Sequence, residues 1–256
     1  MDEGRSDEAV PKSRSIAEQS ADDLGGPGSV LARQRRDHAE LDALLERCRR
    51  TTGDEQQDAL NETCRLVFSH AFAEEAVLWP AIRRALPDGE GLTLRIEREH
   101  QEICELVTEL EQSRPGDSGR DELLGRVIEL LRKDVRDEED VVLPRLQLAV
   151  DPQALRRLGR SWALVRRTAP TRPHAVVSRR PSGNVLGALP LTLVDRSRDV
   201  LDRAARTAPQ PVARASRAAS RGLATAAGTI ERLPPLQRGE DPSTRATRAG
   251  RTGDGR

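Results

Sequence analysis

The feature that most constrains the fold of this chain is an apolar stripe that recurs in four consecutive segments. Within each segment, residues at alternating steps of three and four fall on one face of an α-helix. The segments lie near 29–50, 55–86, 91–113 and 119–149. Short glycine-containing breaks separate them, which favours antiparallel neighbours. We therefore predict an all-α protein built on an up-down-up-down antiparallel four-helix bundle.

The scarcity of aromatic residues agrees with a helical fold. The chain has no Tyr, and its four large aromatic residues are Phe68, Phe72, Trp79 and Trp162. A core must then be built from Leu, Val, Ile and Ala, which suits packed helices. β-sandwiches and barrels draw on more aromatic and β-branched residues than this.

Charge and composition divide the chain into four parts. We predict a disordered acidic leader over 1–28, the bundle over 29–150, a basic extension with short helices and a Pro-rich linker over 151–206, and a disordered Arg/Ala-rich tail over 207–256. Residues 28–150 hold 18 basic and 27 acidic groups, whereas residues 151–206 hold 12 and 4. The basic extension either folds against the acidic bundle or binds an acidic partner.

Several classes of protein are disfavoured by the sequence. No stretch approaches the ~18 apolar residues of a membrane span, and no signal peptide is visible. The three cysteines, Cys48, Cys64 and Cys104, lack CxxC spacing and read as buried free thiols of a reducing compartment. We expect a cytoplasmic protein. We do not expect nucleic-acid binding, because the basic tail lacks interleaved aromatics and a recognisable nucleic-acid fold.

Titratable residues occupy stripe positions where a plain bundle would carry Leu. These candidate metal ligands are His38, His70, Glu74, His100, Asp134 and Glu138. Two of the helices carry them as i, i+4 pairs, which share one helix face. Burying such groups together is costly unless they are paired or bind metal. Imidazole with carboxylate suits iron or manganese, with zinc also possible. A metal-free hydrogen-bonded network is the alternative.

The second and fourth segments are related by an internal duplication. The run from His70 through Glu74 to Pro80 aligns with the run from Asp134 through Glu138 to Pro144 at an offset of 64. The bundle therefore reads as two helical hairpins of one design. We expect the two prolines to kink or loosen each helix end beyond the site.

The order of these motifs resembles the hemerythrin-like (HHE) cation-binding domain of the bacterial type. His38, His70-x-x-x-Glu74-Glu75, His100 and Glu138-Glu139 carry the resemblance, over about residues 29–150. It implies a non-haem di-iron site that takes dioxygen, peroxide or nitric oxide. The implied roles are oxygen or redox sensing, peroxide detoxification and iron homeostasis. If the protein is an enzyme, metal-dependent peroxide decomposition is the expected reaction.

One position departs from the family pattern. The family's fourth histidine falls at Asp134. Either this aspartate is a ligand, which would stabilise ferric iron and weaken reversible dioxygen carriage, or one metal position is weak. The alternative function is an interaction or scaffold protein with a degenerate site, acting through the basic extension. Glu75 and Glu139 are expected outside the ligand shell or at the surface, and His174, Arg172 and Arg179-Arg180 in solvent.

Overall fold

The computed structural model describes residues 14–113, 117–180, 183–237 and 241–244, and these contain helices and no strand. The helices are α1 (Val30–Arg50), α2 (Gly53–Ala73), α3 (Trp79–Ala85), α4 (Gly89–Gln112), α5 (Arg120–Asp137), α6 (Leu143–Ala149), α7 (Pro152–Arg167), α8 (Gly183–Thr207) and α9 (Gln210–Glu231). Short 3₁₀ helices span Ile16–Glu18, Pro234–Gln237 and Pro242–Thr244. The prediction of an all-α chain is confirmed.

Four long helical rods correspond to the four predicted segments. They are α1, α2 continued by α3, α4, and α5 continued by α6. Helix α1 packs on α2 and on α5, while α4 packs on α3 and on α5. Ser29 caps the first rod by accepting a hydrogen bond from the Ala32 N–H. Gly119 precedes the fourth rod with a left-handed backbone (φ 88°), which glycine adopts without strain.

A π turn interrupts the second and the fourth rod at equivalent positions. The turns span Glu74–Leu78 and Glu138–Val142. In each, a backbone N–H bonds five residues back, from Trp79 to the Glu74 carbonyl in the first. Pro80 and Pro144 each lie two residues after the end of the π turn and lack the N–H of a regular helical ladder. The irregular turn therefore lies ahead of each proline and begins at the acidic stripe residue, not beyond the site as expected. π turns are frequent at functional sites.

The apolar core forms two layers, one on each side of the polar stripe positions. One layer includes Leu45, Leu60, Leu110 and Val127, and the other includes Trp79, Ile82, Ile96 and Leu143. Every rod passes from one layer to the other through its titratable residue or pair. The polar positions are therefore enclosed by apolar packing above and below.

The described part of the leader is folded, so the prediction of a disordered leader is wrong for residues 14–28; residues 1–13 lie outside the described part. Ile16 and Leu24 are fully buried in the layer that contains Trp79. Ser15 donates a hydrogen bond to the Glu139 carbonyl at 3.3 Å. Two apolar side chains in an otherwise polar segment suffice to dock it, because they complete the end of the core.

The predicted disordered tail is likewise wrong over its first half, because Gln210–Glu231 form helix α9, which packs along α8. Its buried side chains are small and recur at steps of 3, 4 and 7: Ala213, Ser216, Ser220 and Ala227. Alanine favours helix, and small side chains let two helices approach closely. Residues 238–240 and 245–256 lie outside the described part.

The linker between α7 and α8 is tied down by buried ion pairs. His174 bonds Asp195 through Nε2 (2.9 Å) and Glu231 through Nδ1 (2.8 Å). Arg172 binds carboxylates of Glu111 and of α8. The expectation that His174 and Arg172 are solvated is wrong, because acidic residues distant in sequence converge on them.

None of the described helices combines the length and the apolar character needed to cross a membrane.

Gly159 gives a test of the packing between α7 and the start of α1. A Cβ at this position would lie 2.2 Å from the Gly28 carbonyl oxygen, so the backbone must shift. We expect Gly159→Ala to lower the free energy of unfolding by about 2 kcal/mol, as overpacking does. Gly125→Ala is the matched control, since a Cβ there meets nothing within 4 Å. It should raise stability by up to ~1 kcal/mol. Urea unfolding of both variants and the wild type measures these changes in the free energy of unfolding.

His174 gives a test by pH. Burial opposes its charged form, but the hydrogen bonds to Asp195 and Glu231 outweigh burial and raise its pKa to about 10. A raised pKa contributes stability that is complete below the unfolded value of ~6.5 and is lost as pH rises towards 10. His174→Gln should therefore cost about 2 kcal/mol at pH 6 and progressively less towards pH 10. A stability difference that does not change with pH would contradict this interpretation.

Candidate metal centre

All six predicted ligand residues meet inside the four rods. His38 comes from α1, His70 from α2 and His100 from α4, while Asp134 lies in the last turn of α5 and the two π turns begin with Glu74 and Glu138. All six side chains are buried. The i, i+4 spacing and the widened turns place both members of each pair on the same inward face.

These side chains form two groups that share one carboxylate. His38, His70, Glu74 and Glu138 make one group, and His100, Asp134 and Glu138 make the other. Within each group, one potential ligand atom from every residue lies within 4.8 Å of the rest. Glu138 presents Oε2 to His38 at 3.2 Å and Oε1 to His100 at 3.8 Å. One carboxylate therefore reaches both positions.

Glu74 spans the groups in the same way from the other π turn. Its Oε1 lies 3.1 Å from His70 Nε2, and its Oε2 lies 3.8 Å from His100 Nε2. His38 Nε2 and His70 Nε2 are 3.3 Å apart, and His100 Nε2 is 3.6 Å from Asp134 Oδ2. The Nε2 atoms of all three imidazoles thus face the carboxylates at the centre.

A carboxylate holds the outer nitrogen of each imidazole. Glu139 lies 2.9 Å from His38 Nδ1, and Glu75 lies 2.9 Å from His100 Nδ1. Asp37 lies 3.2 Å from His70 Nδ1. Such contacts fix the ring orientation and direct the free Nε2 lone pair towards a metal.

Sequence reasoning missed Asp37, although an acidic residue directly beside His38 was a visible signal. It placed Glu75 and Glu139 near the site but did not identify the histidines that they contact.

Two arginines from beyond the four rods bind these outer carboxylates. Arg166 of α7 lies 3.0 Å from Asp37. Arg179 of the linker donates to Glu75 at 2.9 Å and to Gln101 at 2.8 Å. Arg179 is buried, so the expectation that it is solvated is wrong. Only the tertiary fold brings these arginines to the site, and local sequence carries no signal for it.

The shifted pKa values indicate that the buried cluster binds protons at the positions where a metal cation would be bound. Burial opposes charge on His38 and His70, but neighbouring carboxylates raise their pKa values to about 10 and about 9. Burial also disfavours ionised Glu138, yet the neighbouring imidazoles of His100 and His38 lower its pKa to about 2. Burial raises the pKa of Asp134 well above its usual range. Binding of a cation must release these protons and should weaken at low pH.

Unpaired buried oxygens test whether a metal fits. Among the described residues, Oε2 of Glu74, Oδ1 of Asp134 and Oε1 of Glu138 are buried with no hydrogen-bond partner. Leaving such atoms unpaired is costly, and a cation would satisfy them. The donors are imidazole nitrogen and carboxylate oxygen without thiolate, a set that suits iron, manganese or zinc. The residues present therefore fit a metal.

The centre borders a small cavity. Its volume is about 70 Å³, and its apolar walls include Leu41, Phe68, Ile103 and Leu131. The linker forms part of its wall, because Arg179 and Val177 also line it. A space of this size holds a few small molecules at most, whereas drug-sized ligands occupy ~300–1,000 Å³.

Comparison with known families agrees with this geometry. The model of the hemerythrin HHE cation binding domain matches residues 29–146. Residues 29–146 are a hemerythrin HHE domain. The HHE domain thus contains all six candidate ligands, whereas Arg166 and Arg179 lie outside it.

One relative found by sequence comparison is an uncharacterized hemerythrin-like protein of Schizosaccharomyces pombe. It is 22% identical over 135 residues, which is 52% of this chain and 66% of the relative. The match thus spans slightly less than two thirds of that relative. No solved structure matches the chain.

The Asp37 contact gives a prediction about metal affinity. Asp37→Asn should weaken metal binding about 10–100-fold, because the amide holds the His70 ring less firmly. Asp42→Asn is the control, since Asp42 lies on the same helix but is exposed and pairs with Arg132. Titration of metal-free protein with Fe²⁺ or Mn²⁺ under anaerobic conditions measures the affinities. Equal affinities for the two variants would refute a role for Asp37.

Proposed function

We propose that this chain is a non-haem di-iron protein that binds or reacts with a small oxidant such as dioxygen, peroxide or nitric oxide. The observation that carries the proposal is the pair of buried ligand groups joined through Glu138 beside a cavity of about 70 Å³. We also infer that the four rods form the up-down-up-down bundle expected from the sequence. Three buried free cysteines agree with a cytoplasmic location.

The proposed ligands are the six residues that the sequence singled out: His38, His70, Glu74, His100, Asp134 and Glu138. When bound, the irons would supply electrons and an open coordination position for the oxidant. Manganese or zinc would be bound by the same donors. Glu74 and Glu138 each lie close enough to both groups to hold two ions at once.

The surrounding residues orient the ligands and exclude water. Asp37, Glu75 and Glu139 hold the outer imidazole nitrogens, so the inner nitrogens stay free of protons once a cation is bound. The two apolar layers keep bulk water from the carboxylates. The small cavity with apolar walls admits a diatomic molecule or peroxide and excludes larger organic substrates.

Asp134 directs the proposal away from reversible dioxygen carriage. A carboxylate in place of a neutral imidazole adds negative charge, which favours ferric over ferrous iron. Redox sensing, peroxide decomposition and iron handling therefore fit better than carriage. The competing proposal, a scaffold that acts through the basic extension, would leave the buried oxygens Oε2 of Glu74, Oδ1 of Asp134 and Oε1 of Glu138 without a partner.

Metal content tests the proposal directly. Protein purified from iron-supplemented cells should hold about two irons per chain and show oxo-bridged ferric absorption. Metal-free purified protein with undiminished thermal stability would refute it and favour a hydrogen-bonded network. Absence of iron-dependent peroxide consumption would remove only the enzyme version.

Two conservative variants test how the ligands are shared. Glu138→Gln should lose both ions, because this carboxylate belongs to both groups, whereas Asp134→Asn should retain about one. Exposed Glu102→Gln, on α4, is the control and should retain both. Elemental analysis of each protein, with circular dichroism to confirm folding, gives the stoichiometries. Equal metal content in the Glu138 and Asp134 variants would exclude the shared arrangement.

A further inference from the structure

A second, more open cleft lies outside the candidate centre and is strongly basic. It has a volume of about 510 Å³ and lies between α1, α2, α7 and the linker to α8. Six arginines line it: Arg33, Arg36, Arg65, Arg166, Arg167 and Arg196. Glu40 and Glu62 are its acidic lining residues. The arginines thus come from four helices, α1, α2, α7 and α8.

Most of this positive charge has no counter-charge within the protein. In the described part of the chain, no carboxylate forms an ion pair with Arg33, Arg65, Arg167 or Arg196; Glu62 pairs instead with Arg47, outside the cleft. Arg36 and Arg166 share the single carboxylate of Asp37. Like charges gathered in a concave surface repel one another and attract an anion.

The wall of the cleft contains a buried donor that also lacks a partner. Trp162 is 1% exposed, and its indole nitrogen has no hydrogen-bond partner among the described residues. The Arg166 guanidinium lies over the Trp162 ring, 5.4 Å from its centroid. An unpaired buried N–H beside the Arg166 guanidinium, in the wall of a cleft lined by six arginines, is an environment in which an oxyanion is stabilised.

We propose that this cleft binds a small phosphate-bearing anion. Guanidinium groups donate paired hydrogen bonds that match phosphate oxygens, and several arginines together suit a group with more than one negative charge. A volume of about 510 Å³ is that of a small-molecule site.

The cleft connects to the candidate metal centre through Arg166. Arg166 lines the cleft and binds Asp37, which holds His70 Nδ1. Trp162 also contacts His70, with ring centroids 5.4 Å apart in an edge-to-face arrangement. An anion competes with Asp37 for the Arg166 guanidinium, so its binding changes the environment of His70. This coupling rests on the proposed function, whereas anion binding itself does not.

Binding is tested on the metal-free full-length protein by calorimetry with inorganic phosphate, pyrophosphate, inorganic triphosphate and adenosine triphosphate. We expect saturable binding at one site that weakens with added salt. Tighter binding of adenosine triphosphate than of inorganic triphosphate identifies a nucleotide as the ligand, and equal binding identifies a free polyphosphate. No saturable binding of any of these anions overturns the proposal.

Two charge-matched double variants show where the anion binds. Arg65→Gln/Arg196→Gln should weaken binding about tenfold or more, because it removes two cleft arginines whose charge no carboxylate neutralises in the described part of the chain. Arg126→Gln/Arg214→Gln removes the same charge from exposed positions outside the cleft and should leave binding unchanged. Equal weakening in both variants would show general charge attraction and overturn the site.

Trp162 provides a second readout, because the chain has only two tryptophans and no tyrosine. In a Trp79→Phe background, titration with the anion should change the fluorescence of Trp162. The dissociation constant from this titration should equal the one measured by calorimetry.

The coupling is tested on the iron-loaded protein by its absorption spectrum. Added pyrophosphate should shift the ferric bands in the wild type but not in Arg65→Gln/Arg196→Gln. A shift of equal size in both proteins would mean that the anion contacts the metal directly, which contradicts the coupling. An unchanged wild-type spectrum with intact calorimetric binding also contradicts the coupling and leaves the cleft established. Protein that loads no iron but binds the anion refutes the proposed function alone.

Discussion

The burial of three carboxylates and three imidazoles in one layer of the helical rods is the constraint on which the rest of this structure depends. Charged groups removed from water are tolerated only when each is paired or bound to a cation. The surrounding structure provides such partners. The inner imidazole nitrogens face carboxylates, and the outer imidazole nitrogens bond Asp37, Glu75 and Glu139. Asp37 and Glu75 in turn bind arginines. The two apolar layers that enclose the cluster make each of these contacts stronger than it would be in water.

Two acids of the HHE domain are compensated by residues that lie beyond it in the chain. Arg166 and Arg179 lie after residue 146, yet they bind the acids that orient His70 and His100. The opposite charges of the bundle and the extension therefore meet within one molecule, as in the 2.7 Å pair between Arg206 and Asp58. Of the two outcomes left open by the sequence, folding of the basic extension against the acidic bundle is the one observed over these residues. Arg167 and Arg196, which line the open cleft, are arginines of the extension that form no ion pair within the described part of the chain.

The sequence predicted those features that depend on local spacing. Stripe periodicity located the four rods and all six inward-facing polar residues, because a helix converts spacing directly into direction. It could not predict the partners of Asp37 or Glu75, since Arg166 and Arg179 reach them only through the tertiary fold. The docking of Ile16 and the helix at Gln210–Glu231 were missed for a related reason: composition predicted solvated segments, and a few buried side chains reversed the outcome. The π turns needed backbone geometry that no residue pattern specifies.

The exchange of histidine for aspartate at position 134 makes the two halves of the duplicated motif unequal. One group of candidate ligands contains two histidines, His38 and His70. The other contains a single histidine, His100, so carboxylate oxygens make up a larger share of its donors. Oxygen donors favour harder cations, so under the proposed function the two positions would differ in the oxidation state of iron that they stabilise. The basic cleft touches only one half, because Arg166 and Trp162 both contact the His70 side. An anion in that cleft would therefore act on the position with more nitrogen donors and leave the oxygen-rich position unchanged, which gives the asymmetry of the duplication a regulatory consequence.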